Sequence, residues 1–170
     1  KIVSIEESLK AQEIFILNGF NDIQNSYTIN EVSGLLSAVA NSSWSFFPNS
    51  GIYNKITNNN QLDLIESQEL QLKIIELYEQ YYKRYNDIDL NLEQQMVFSL
   101  SNNFLSNIED MAIKNDGEYV IDFETLEKHY MVLNNECRKI HSLTVLAHAA
   151  MIDCKDYIEV LTRLLKKELD

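Results

Sequence analysis

Apolar residues recur at three-to-four spacing through most of this chain, and that period is the signature of one buried helix face. Ile2, Ile5, Leu9, Ile16, Phe20 and Ile23 set out a first helix expected to run close to Ile23. Thr28 followed by Glu31 forms a capping-box pattern, because hydroxyl and carboxylate can each satisfy a free amide at a helix start. Val32, Leu35, Leu36 and Val39 continue that second helix. Residues Asn41 to Gly51 hold the only proline, Pro48, beside Trp44, Phe46 and Phe47, and read as an aromatic-rich connection. Ile52 to Ile56 suggest a helical turn, ended by the Asn58-Asn59-Asn60 run, whose amides compete for backbone hydrogen bonds.

The clearest pattern starts near Ser67, where Leu70, Ile74, Leu77, Tyr81, Tyr85, Ile88, Leu92 and Met96 keep helical register. Bends or breaks are expected at Asn86 to Asn91 and at Asn102-Asn103, with an end by Asp116-Gly117. Tyr119-Val120-Ile121 suggest a short extended piece, and Asp122 an N-cap for a helix through Leu126, Tyr130 and Leu133. Asn134-Asn135 are expected to interrupt it before a final stripe from Ile140 through Ala147, Cys154 and Leu161 to Leu165. The expected fold is all-α: a helical bundle with two long amphipathic helices and several shorter ones, in a single domain over residues 1–170. Four acid-first pairs at i,i+4 (Glu69 and Lys73, Glu79 and Lys83, Glu124 and Lys128, Glu159 and Arg163) fit the polar faces.

Composition agrees with helices, since four glycines and one proline are too few for the turns of an all-β chain. A net charge of −12 argues against a nucleic-acid partner, whose phosphates demand clustered Lys and Arg. It also argues against anionic membrane surfaces. No stretch approaches the ~18 apolar residues of a membrane span. The chain starts at Lys1 rather than Met, so a processed or truncated form is expected, with membrane attachment only through an anchor upstream. Cys137 and Cys154 read as buried thiols, because on one helix they stand roughly 25 Å apart.

Chemistry-bearing patterns are sparse. Residues three before His129, His141 and His148 are Leu126, Arg138 and Val145, not the Glu of a di-iron bundle. Cys137 and His141 share a face without enough further ligands for a metal site. Sequence motifs for nucleophile elbows, zinc hydrolases and phosphate loops are missing. Glu109-Asp110 and Asp87 with Asp89 read as solvated charge. No catalytic residue and no cofactor is implied, and an enzyme is disfavoured. Asn41-Ser42-Ser43 matches a glycosylation sequon. The remaining signal is aromatic: Tyr78, Tyr81, Tyr82 and Tyr85 recur over two turns, as bundle-boundary rings or as a stacking surface.

Phe47-Pro48-Asn49-Ser50, then Tyr53, Leu62 to Ile65, Leu70, Glu76-Leu77-Tyr78-Glu79 and Tyr82 follow an order that resembles a family of uncharacterised bacterial single-pass membrane proteins. The resemblance spans most of the chain and includes the final amphipathic helix. It implies an N-terminal transmembrane anchor and a helical domain outside the cytoplasm, in the periplasm, and it supplies no catalytic residues. This chain departs in lacking the anchor and in having Asn60 where glycine is expected. The function expected is a non-enzymatic interaction domain touching an unknown protein through Trp44, Phe47, Tyr53, Tyr78 and Tyr82. A small-molecule sensor of helical-bundle type is the alternative, its ligand lying between helices.

Overall fold

The computed structural model describes residues 2–40, 49–105, 112–113 and 119–169. It is an all-α bundle. Helices α1 (Ile2–Leu17), α2 (Phe20–Ser26), α3 (Ile29–Ala40) and α4 (Gly51–Asn58) lead through a 3₁₀ turn, Gln61–Leu64, to the first long helix. That helix comprises α5 (Gln68–Glu76), a π turn (Leu77–Tyr82), α6 (Lys83–Gln95) and a second π turn (Met96–Ser101). Two antiparallel two-residue strands, β1 (Ala112–Ile113) and β2 (Tyr119–Val120), precede α7, which runs unbroken for 47 residues from Phe123 to Leu169.

Helix α7 is the spine, with α1 and α6 packed along it and α3 against α1. The main core joins Phe15, Val32, Leu36, Leu92, Phe104 and Leu133, each fully buried, around the first half of α7. A second cluster, Leu70, Leu77, Tyr157 and Leu161, ties α5 to the end of α7. The expected stripes supply Val32, Leu36, Leu92 and Leu133 of the first and Leu70, Leu77 and Leu161 of the second, because residues three and four apart share a helix face. Phe15, Phe104 and Tyr157 lie outside those stripes, and α1 buries Ile5, Ala11 and Phe15 where the periodicity predicts Ile2, Leu9 and Ile16 alongside Ile5.

Local chemistry explains where helices start. Thr28 donates its amide to Glu31 Oε2 at 2.8 Å, and Glu31 returns its amide to Thr28 Oγ1 at 3.4 Å, closing the expected capping box. Asp122 Oδ1 accepts the Thr125 amide at 2.7 Å, and Ser67 Oγ accepts that of Leu70 at 3.2 Å. The two Thr28 hydrogen bonds hold the Glu31 carboxyl below its ordinary value of 4.5. A lowered carboxyl pKa adds stability that is present above the unfolded value and lost as pH falls through the folded one. Chemical denaturation of Glu31→Gln is therefore expected to show a deficit against the parent chain at neutral pH that narrows as pH is taken below 4.5.

Several expectations about breaks are corrected. The first helix stops at Leu17 rather than Ile23: Asn18 Nδ2 donates to Ile14 O at 2.8 Å, and the Gly19 amide meets Asp22 Oδ2 at 3.1 Å to start α2. Asn86 to Asn91 do not break the long helix, because the Asn91 side chain bonds Asp87 O one turn back at 2.8 Å. Asn134 does not interrupt α7 either. Its side chain reaches across to Phe15 O, while the Tyr130 hydroxyl donates to Phe15 O at 3.1 Å and Asn18 O at 2.7 Å, and Arg138 to Ile16 O at 2.8 Å. Carbonyls left over at the end of α1 thus find donors on α7, and the polar residues that look like breaks are a cap for another helix.

None of the four acid-first pairs forms an ion pair among the described residues. Glu79 instead accepts from Tyr53, and Glu159 sits 4.0 Å from Lys155. Asn60 takes φ 52°, the left-handed conformation that a glycine would adopt freely and that asparagine tolerates. Tyr119 is extended as expected, and Ser37 and Ser33 of α3 accept the amides of Tyr119 and Ile121 at 2.8 and 3.4 Å.

Candidate functional site

Tyr53, Tyr78 and Tyr82 converge although 29 residues separate the first from the last. Tyr53 lies on α4 and its ring stacks on Tyr78 at 4.2 Å, tilted by 1°. Tyr82 meets Tyr78 edge-on at 5.1 Å and 87°. The π turn carries Tyr78, Tyr81 and Tyr82, and such widened turns direct side chains away from the regular helical stripe. Tyr78 then faces α4, and Tyr81 packs on Tyr157 of α7 at 4.2 Å. Trp44 and Phe47 lie outside the described residues, as do the sequon and Glu109-Asp110.

The phenols are anchored to carboxylates. Tyr53 donates to Glu79 Oε1 at 2.9 Å, Tyr85 to Asp89 Oδ1 at 3.4 Å, and Tyr157 to Glu76. Burial pushes the Tyr53 hydroxyl up to about 12, helped by the Glu79 bond and charge. Burial likewise raises Tyr82, Tyr85 and Tyr157. The hydroxyls of Tyr53, Tyr85 and Tyr157 are fixed donors rather than acid-base groups at neutral pH. Asp89 is itself buried, which corrects the reading of it as solvated charge, whereas Asp87 is exposed.

Beside this cluster a groove of about 510 Å³ opens between the start of α1, the π turn with α6, and the last third of α7. Ile2, Val3, Met151, Cys154 and Ile158 give it apolar walls, Tyr82 and Tyr85 an aromatic side, and Lys155 and Glu159 its charges. Sequence reading missed this site. Met151, Cys154 and Ile158 look like core positions because they belong to the final stripe, and nothing local shows that α1 covers them incompletely. Tyr157 was missed too, being one tyrosine without neighbours of its kind.

Both thiols are free and buried on α7, as expected. Burial pushes Cys137 up to about 12, with the Glu136 charge adding to it, and raises Cys154 in the same sense. A thiol held protonated is a poor nucleophile. Iodoacetamide is therefore expected to spare Cys137 in the folded protein and to modify Cys154 first, slowly, through the groove; peptide mapping after partial alkylation reads the order. Faster labelling of Cys137 would contradict this burial.

Among the described residues no group of His, Cys, Asp and Glu forms a metal-binding cluster, and no helix is long and apolar enough to cross a membrane. No family model, curated protein or solved structure matches the chain.

Proposed function

We propose that the chain is a non-enzymatic helical binding domain of the sensor type, taking a small amphipathic molecule in the groove between α1, α6 and α7. The groove is the observation that carries this reading. Its volume falls within the range of small-molecule sites, its walls are apolar, and its few charges suit one polar head group. Phenols held by carboxylates and thiols held protonated favour binding over turnover. The unbroken α7 gives a bound molecule a rigid lever, because force on Met151 or Ile158 acts on the same helix that packs against α1 and α6. The family resemblance supports placing the domain outside the cytoplasm as part of a membrane-anchored bacterial protein.

A protein partner docking on Tyr53, Tyr78 and Tyr82 is the second reading, favoured by the half-buried rings of Tyr78 and Tyr82. It is the weaker one because Tyr53 is only 7% exposed and spends its hydroxyl on Glu79, a supporting role.

Anilinonaphthalene sulfonate, an aromatic body with one anionic head, is the probe for the groove. Its fluorescence is expected to saturate with the folded chain and to raise the melting temperature. At a hundredfold excess over Kd the stabilisation is about 2.7 kcal/mol. Tyr82→Ala and Met151→Gln are each expected to weaken binding about tenfold, the loss of one good wall contact, with helicity unchanged. Fluorescence that never saturates, or that both variants leave intact, would count against the groove.

A further inference from the structure

From Ile140 to Ile152, α7 carries no Asp, Glu, Lys or Arg, although such residues make up 24% of the chain. Its inward side is already used: Ile140, Thr144 and Ala147 are fully buried and Ala150 is 3% exposed. The outward side is left to solvent. Val145 and Leu146 are 45% and 48% exposed, and Ser142 and Ala149 beside them are exposed as well. The exposed positions of this segment are thus two large apolar residues and two small ones, with no charge among them, and the bundle leaves that side uncovered. Charge returns at both ends with opposite sign. Arg138 precedes the strip and Asp153 follows it, both exposed on the outward face. Each is held in place, Arg138 by its bond to Ile16 O and Asp153 by Arg84 at 3.6 Å.

We infer that this face is a self-association surface, on which α7 of one copy packs antiparallel against α7 of a second copy about a twofold axis between Val145 and Leu146. The register follows from the sequence. Val145 meets Leu146 of the second copy, Ser142 meets Ala149, Arg138 meets Asp153, and Met131, 70% exposed, meets Val160, 36% exposed. An isologous pairing needs such self-complementarity, with plus before the apolar centre and minus after it, and small residues beside the axis let the helices approach. In the same register Asn135 meets Asp156, a polar pairing without repulsion, and Lys128 meets Arg163, a like-charge encounter at solvent-exposed positions that costs little. Net charge of −12 on each copy opposes association over distance, and physiological salt screens it within ~8 Å. The strip is narrow, so the dimer is expected to be reversible rather than obligate. This surface is separate from the groove and does not depend on its ligand.

Sedimentation velocity of the intact chain in about 150 mM salt, from about 1 to 500 µM, tests the pairing. The expected result is a mass rising from 19.8 kDa towards twice that value, with Leu146→Glu shifting the transition at least thirtyfold to higher concentration at unchanged helicity. Geometry is read by disulfide trapping. Met131→Cys copies mixed with Val160→Cys copies are expected to cross-link to each other, and neither variant to itself, the two native thiols being buried. A 19.8 kDa species at every concentration overturns the proposal. So does a dimer indifferent to Leu146→Glu, or Met131→Cys linking to itself. Should Leu146→Glu lose its helicity, the trapping result decides alone.

Discussion

Replacing Phe15 by alanine is expected to destabilise the protein by about 3–5 kcal/mol. The ring is fully buried within the main core, between the faces of α1, α3 and α7. Truncation forfeits the transfer free energy of the ring and leaves a cavity that helices fixed along α7 cannot close. The main-chain Phe15 O, where the Tyr130 hydroxyl and the Asn134 side chain hold the end of α1, is kept by alanine, so the loss reports the ring alone. Urea denaturation followed by circular dichroism gives the number. A shift below about 1 kcal/mol would mean that α1 is not seated as described.

The second large effect is expected at Gln12, which is fully buried with its amide spread across the α1–α7 interface. Its Nε2 donates to Ser8 Oγ and to Thr144 Oγ1, each at 3.1 Å, and its Oε1 lies 3.2 Å from His141 Nδ1. Gln12→Leu keeps the volume but removes those partners, and leaving buried polar groups unsatisfied costs about 1–3 kcal/mol. Thr144 retains its own bond to Ile140 O at 3.0 Å, which limits the damage on its side. Because an unpaired partner costs more than a missing pair, the double variant Gln12→Leu with Thr144→Val is expected to lose less than the sum of the single losses. Simple additivity in that cycle would show that the two side chains do not depend on each other.

The apolar stripes were legible because a helix face repeats every three to four residues whatever surrounds it. Val32, Leu36, Leu92, Leu133 and Leu161 are buried where the pattern places them. So were the Thr28, Ser67 and Asp122 helix starts, since capping is settled within one turn. Asparagine was the misleading residue. Asn18 and Asn91 bond their own helix four residues back, and Asn134 bonds another helix, so the same side chain ends, decorates or docks an element according to its neighbours. The tyrosine stripe was visible, whereas the stacking partner of Tyr78 came from α4 and that of Tyr81 from α7.

By itself the sequence determined the all-α class, the inward stripes of α3, α5, α6 and α7, the helix caps and the burial of both thiols, all consequences of short-range periodicity and local hydrogen bonding. The buried face of α1, with Ser8, Gln12 and Phe15, was instead set by what packs on it. Only the tertiary structure decided that α7 would run unbroken, that α1 would borrow its cap from it, and that Ile2 and Val3 would meet Tyr82 and Met151 around an open groove. Those outcomes depend on how far one helix extends beyond the residues that cover it. That length mismatch arises between elements distant in the chain, where no local pattern records it.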